Sequence, residues 1–510
     1  MMENISSAMT MRPGATLDAD VVIVGMGAGG SMAFYELALA GINVIAVEEG
    51  GVWSPREANC REEEMLPRLF MEAGSRATDD MSIRVLQGRG VGGSTLHNTN
   101  LCRRLPAALL AHWGEAYGLD ELAAGALDED FEVCERLLNV HTVPDARMNR
   151  NNLLLERGLA QLGWAGGRLM HNRNEDCQGS GYCELGCPND GKQSASRALV
   201  PPALRAGGRI VTDARAVRVL TQGGQACGVE LRAVDPARRQ EAHGLTIRAR
   251  RVILAASATG SAALVQRSAL PDPHKLAGTN LHLHPGVFVA GVFDEPVMSW
   301  QGVPQAVECT EFLQFGPHAE RRMWIVTGAA HPGAAAGLMP GFGPSHGAWM
   351  RQYPNVAVLI NMLHDHTGGR VSAGAGEKVH MSYRMDREAW GQIAMGLAAS
   401  ARLLFAAGAR QVLLPTTRAR ILTSPADLAS FSAADLGPHS PPLVAVHPMS
   451  TLWMGRDPAA SVVDARGEHH HVRGLYVADG SLFPTSVGGP PQLPIYALGR
   501  RVGRGVAASL

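Results

Sequence analysis

The chain has 510 residues, more than one ordinary core holds, so two or three domains, or one large domain with a second inserted, are expected. A net charge of -1, with 18% charged residues and no basic block, argues against nucleic acid or an anionic membrane as partner and suits a neutral small substrate. No apolar run nears the ~18 residues of a membrane span, residues 1–18 lack a secretory pattern, and the 8 unevenly spaced cysteines read as reduced thiols of a cytoplasmic protein.

Residues 1–18 are expected to form a flexible N-terminus. Val21–Val24 is a β-branched run entering Gly25-x-Gly27-x-x-Gly30; Ser31–Ala40 has helical character, and Asn43–Val47 is a second strand ending at Glu48. This βαβ frame is the one a dinucleotide requires. Arg209–Val211, Ala216–Leu220 and Arg251–Ala255 read as further strands of the same unit. From His284 to about Pro441 strands alternate with Pro/Gly loops, among them Val287–Val292, Met323–Thr327 and Val356–Leu363, which predicts an antiparallel sheet. Arg387–Ala407 is a long helix, and Ile495, Leu498, Val502 and Val506 share one face of a closing helix.

The first glycine motif lets backbone approach a pyrophosphate at a helix N-terminus, where amide donors and the helix dipole favour negative charge. Glu48, at the end of the second strand, is in register to accept hydrogen bonds from ribose hydroxyls, and Glu49 lies one residue further on. A second glycine run, Gly88 to Asn98 (GRGVGGSTLHN), is more than a nicotinamide cofactor requires. It suits FAD, with its long diphosphate arm and flat ring.

Together with HPMST from His447 and VADGSLFPTS around Asp479, these segments resemble the glucose-methanol-choline (GMC) oxidoreductase family, in the family's order over nearly the whole chain. The wording around Trp113–Leu119 and Cys177–Ser194 is most similar to its long-chain alcohol oxidase and cholesterol oxidase members. The resemblance implies an α/β fold. A discontinuous Rossmann-like FAD domain would span 19–110, 172–283 and 442–510. A substrate domain, an antiparallel sheet flanked by helices, would span 284–441 with a helical segment at 111–171. It further implies that Gly25, Gly27, Gly30 and Glu48 hold the ADP moiety, that Val217 is a cofactor-binding residue in the strand that packs on adenine, and that Gly92, Gly93, Ser94 and Asn98 lie along the flavin. Asp479 and Gly480 would bind the diphosphate and ribityl region, and His97 occupies the position that in some relatives bonds covalently to the flavin, the alternative being a histidine that only packs on the ring's dimethylbenzene edge. His447 matches the active-site histidine, a base for the substrate hydroxyl while hydride passes to flavin N5.

The sequence departs from the family at the second catalytic position, where Pro490 stands for His or Asn; proline has no side-chain donor and no N–H. Either Gln492 or a residue that no motif marks supplies that hydrogen bond, or His447 works alone, or the chemistry differs. A hydrophobic alcohol is the expected substrate, with Phe312, Phe315, Trp324, Trp349 and Met350 as candidate lining, and oxygen or an electron carrier as acceptor. Two other readings stay open: an FAD-containing lyase or isomerase, and a flavoprotein subunit of an electron-transfer assembly. Cys177, Cys183 and Cys187 lack one ligand of an iron–sulfur pattern, with Ser180 in its place; a zinc site with His171 or a structural loop are the alternatives, and no metal is expected. His469, His470 and His471 are expected to be solvated in a hairpin.

Overall fold

The computed structural model describes residues 4–328, 331–416 and 419–510. Its first large sheet orders strands Ile5–Ser7, Arg209–Thr212, Val44–Val47, Thr16–Val24, Glu241–Leu254, Gln225–Val234 and Ala214–Gln222. Thr16–Val24 lies between two parallel neighbours, and Val21 to Val24 are at most 4% exposed. A strand covered on both faces reads as an unbroken β-branched run, which is what this one is. The long strand Glu241–Leu254 pairs antiparallel with Gln225–Val234 through its first part, and its end pairs in parallel with Leu475–Val477. The C-terminal segment thereby enters the nucleotide-binding sheet.

Helix Ala28–Leu39 follows the central strand, and the closing helix Gln492–Ala508 lies directly on it. A Cβ added at Gly499 would fall 2.7 Å from the Gly29 carbonyl oxygen, so only glycine permits this approach of the two backbones.

The second sheet orders strands Arg420–Leu422, Gln411–Leu414, Gly286–Val292, Val356–Leu363, Met323–Thr327, Val307–Cys309 and Gly166–Arg168. All eight residues of Val356–Leu363 are buried between two antiparallel neighbours. Helix Arg387–Ala406 covers this sheet, capped where the Asp386 side chain accepts from the Ala389 amide at 2.8 Å, and it buries Ile393, Leu397, Leu403 and Leu404.

Three expectations are corrected. The N-terminus is ordered over its described part: Ile5–Ser7 pairs in parallel with Ile210–Thr212, and Thr16–Val24 extends the central strand back past residue 19. Leu443–Ala445 and Ile83–Val85, assigned above to the cofactor domain, pair with each other, and Val444 bridges to Gly286 of the second sheet. His469 is buried at 3% exposure, its ring lowered to about 4 by burial, and only His470 and His471 keep partial solvent contact.

Candidate active site

A cavity of about 840 Å³, at the large end for small-molecule sites, is lined from both sheets. The first contributes the turn Gly25–Gly29, Val47, Glu48 and Ala214–Ala216; the second contributes Phe288, Ile360, Met362 and Val446. The second glycine run adds Gly93, Ser94, Thr95, His97 and Asn98, and the C-terminal segment adds His447, Asp479, Gly480, Pro490 and Gln492.

The two glycine runs touch. Gly93 has φ +51, and a Cβ there would lie 2.7 Å from the Gly27 Cα; a Cβ on Gly27 itself would meet no protein atom within 4 Å. Gly27 therefore leaves a bare backbone surface on the cavity, at the start of helix Ala28–Leu39. Gly30 and Gly92 stay out of the cavity wall and shape it from behind: Gly30 packs on the Gly25 carbonyl and Gly92 beside Leu96.

Glu48 knits the turns together, accepting from the Met26 and Gly50 amides at 3.0 Å and from the Gly90 amide at 3.1 Å. Burial raises its carboxyl, against the pull of those amides. Glu49 differs: against burial, Arg215 at 3.1 Å and Arg89 at 3.4 Å hold it below the usual range. Val217 does not lie in the wall. It falls at a register shift between Ala216 and Arg218, where a β-bulge turns the strand, and Ala214, Arg215 and Ala216 face the cavity instead.

His97 lines the cavity with its Nε2 buried and unpartnered, its ring against Phe70 at 4.0 Å and pushed by burial down to about 3. Asn98 donates Nδ2 to Gln492 Oε1 at 2.7 Å and leaves its Oδ1 buried without a partner. Ser94 lines the cavity and accepts from the Gly88 amide at 2.9 Å. Asp479 accepts from Ser261 at 2.5 Å and from the Ser481 amide at 2.8 Å, and burial raises its carboxyl. Bare backbone at a helix start, a buried acid beside it, and orphaned polar atoms on His97 and Asn98 together fit a dinucleotide with a flat, hydrogen-bonding ring.

Gln492 cannot replace the donor missing at Pro490. Its Nε2 is committed to the Leu101 carbonyl at 2.7 Å and Asn172 Oδ1 at 3.0 Å, which uses both hydrogens, and its Oε1 is held by Asn98.

The polar neighbour of His447 is one the sequence reading missed. His447 Nδ1 lies 2.9 Å from His284 Nδ1. The topology explains the pairing: Gly286 faces Val444, and His282 bridges Met449, so the segments run antiparallel past each other. Between those bridges the His447 side carries one residue more than the His284 side, the count of a β-bulge, and His284 takes φ +56. Asp365 pins the opposite segment, accepting from the Leu283 amide at 2.9 Å, the His284 amide at 3.3 Å and the Tyr383 hydroxyl at 2.8 Å, with His282 Nδ1 at 3.4 Å. Burial works to raise Asp365, but His282, His284 and the Leu283 amide hold it well below the carboxylate range. Burial lowers His447 to about 4, with Asp365 opposing, and lowers His284 as well. The signal for His284 was available: histidines at 282 and 284 alternate just ahead of a strand.

The expected aromatic lining is also corrected. Phe312, Phe315, Trp324, Trp349 and Met350 all pack away from the cavity; Trp324 is fully buried, its indole N–H bound to Glu308 at 2.6 Å. Cys177, Cys183 and Cys187 are free and partly exposed, and His171 is buried on strand Met170–Asn172 with both nitrogens unpartnered. Among the described residues no three metal-ligating groups come together.

GMC oxidoreductase family models match residues 66–286 and 369–499. An uncharacterized GMC-type oxidoreductase of Mycobacterium tuberculosis is 34% identical over 94% of this chain and 74% of its own length. A long-chain-alcohol oxidase of Arabidopsis thaliana is 26% identical over 99% of this chain and 70% of its own. Among solved structures, pyridoxine 4-oxidase of Mesorbium loti superimposes with a TM-score of 0.72 at 18% identity, covering 96% of this chain and 99% of that one. Formate oxidase of Aspergillus oryzae gives 0.72 at 16% identity over 98% and 99%. The second glycine run and His447 lie within the matched residues, and the chain belongs to the GMC oxidoreductase family of flavoproteins.

Proposed function

We propose that this chain oxidises the CH–OH group of an apolar alcohol to a carbonyl, with His447 as general base and FAD as the two-electron oxidant. The observation that carries it is the hydrogen bond between His447 and His284, which occupies Nδ1 and leaves Nε2 as the one ring nitrogen able to meet a substrate in the cavity. Bound FAD would supply the acceptor for the hydride that leaves the substrate carbon. Gly25, Gly27 and Glu48 line the cavity and would hold its ADP portion, and Asp479 and Gly480 its diphosphate and ribityl region. His97, Asn98 and Ser94 also line the cavity and would lie along the ring. His97 is also the residue fitted to bond it covalently, because its buried Nε2 has no protein partner and burial keeps the imidazole neutral.

An imidazole kept neutral can accept the hydroxyl proton as the carbon loses hydride. Phe288, Ile360, Met362 and Val446 give the second-sheet wall its apolar face, which favours a hydrophobic alcohol over a sugar. Similarity to long-chain-alcohol oxidases supports the same substrate class.

The test is a visible spectrum of the purified protein before and after anaerobic addition of straight-chain primary alcohols. The flavin band should bleach with at least one of them. A protein without a flavin band would overturn the cofactor, and a bound flavin that no alcohol bleaches would favour a lyase or isomerase.

A further inference from the structure

Two imidazole nitrogens 2.9 Å apart share a hydrogen bond only when one carries a proton and the other a bare lone pair. Each neutral ring has one proton, and burial keeps both His447 and His284 neutral. Two arrangements remain. In one, His447 holds Nδ1–H and a bare Nε2, and His284 holds its proton on Nε2. In the other the tautomers are reversed, and His447 would meet the substrate as a donor that cannot accept its proton. This step rests on His447 being the base, and only the first arrangement permits that.

The surroundings support a partner that steadies a protonated base. Asp365, His282 and His364 are the titratable groups around His284; Tyr383 binds Asp365, and the flat face of His284 lies on Trp324 at 6.2 Å. Asp365 is the anion of this set and fixes the His284 backbone through its amide. The His284 Nε2 is buried with no protein partner, so no other side chain sets its tautomer.

We propose that His284 is the positioning residue of the base: it accepts the Nδ1–H of His447, fixes the tautomer whose Nε2 is bare, and supplies from the second sheet the support that Pro490 cannot give. When the substrate O–H bond breaks, its proton forms the new Nε2–H of His447, and bound FAD would accept the hydride from the carbon. The resulting imidazolium keeps its Nδ1–H on the His284 lone pair, within the field of Asp365.

The experiment uses the holoenzyme labelled with nitrogen-15 at histidine, plus two variants. His284→Phe keeps a ring on Trp324 but removes both nitrogens; His284→Asn tolerates the left-handed backbone and offers a carbonyl acceptor. The wild type should show Nδ1 protonated and Nε2 bare on His447, the reverse on His284, and a far-downfield shared proton. His284→Phe should lose that proton, keep its FAD, lower kcat/KM for dodecanol on the order of 10²-fold and move the acid limb of its pH profile downward. His284→Asn should recover most of the rate and the limb. The reversed tautomers, or an unchanged pH profile in His284→Phe, would overturn the proposal. Flavin reduction at the normal rate in His447→Ala would instead remove the base assignment beneath it.

Discussion

Asn98 gives its Nδ2 hydrogen to Gln492 Oε1 at 2.7 Å, and Gln492 gives its own to the Leu101 carbonyl at 2.7 Å. Because a carbonyl can only accept, the chain of amides has a fixed direction, and it ends on Asn98 Oδ1, the unpartnered acceptor in the cavity wall. Gln492 is therefore a support for the ring-binding segment and not a group that meets substrate. Gln492→Ala leaves buried groups on Asn98, Leu101 and Asn172 unpaired, at about 1–3 kcal/mol each. Thermal unfolding should show a lowered Tm, and the variant should be isolated with less bound FAD, with kcat of the loaded fraction close to wild type.

Asp365 sets a pH dependence of known sign. A carboxyl held below its unfolded value of about 3.9 stabilises the fold above that pH, and the contribution is lost as pH falls toward the folded value. Asp365→Asn should be less stable than wild type at neutral pH, and urea unfolding should show the gap closing below about pH 4. The same charge opposes the lowering of His447, so the variant's acid limb in kcat/KM should move below the wild-type limb, itself expected near 4.

His97 lines the cavity with a buried Nε2 that has no protein partner, and the covalent bond proposed for it has a direct test. Acid precipitation of wild-type protein should leave yellow colour in the pellet. His97→Ala should release all flavin to the supernatant and keep a reducible, non-covalent cofactor. Colour retained in the His97→Ala pellet would place the bond elsewhere.

Ile360 stands in the apolar wall at 5% exposure on a strand buried along its length. Ile360→Trp should fill substrate space, raising KM for long-chain alcohols while leaving short ones nearly unchanged. A pocket group is worth about 1–3 kcal/mol, so the rise should be tenfold or more. Equal effects on short and long chains would place the chain-binding wall elsewhere.

Much of the site could be read in the sequence because its signals are local. Gly25, Gly27 and Glu48 lie within one βαβ unit, and His447 and Asp479 each sit in a short segment with its own pattern. What escaped was set by register and by distance along the chain. His284 reaches His447 from 163 residues away, through an antiparallel pairing whose bulge no local pattern announces. Val217 sits at a bulge of the same kind, and Ala214, Arg215 and Ala216 of its strand line the cavity in its stead. Phe312 and Trp324 are apolar and near the right strands, but facing is decided by which neighbour each strand acquires. Leu443–Ala445 was assigned by its place in sequence, yet its hydrogen bonds go to Ile83–Val85 and toward Gly286.

Removal of the hydroxyl proton by His447 as the alcohol is oxidised is the step on which the proposed activity turns. The most direct measurement is anaerobic stopped-flow reduction of the bound flavin by dodecanol in wild type and in His447→Ala, at matched FAD content. Wild type should bleach rapidly, and the variant should bleach slower by on the order of 10²- to 10⁴-fold. Bleaching at the wild-type rate by FAD-loaded His447→Ala would contradict it.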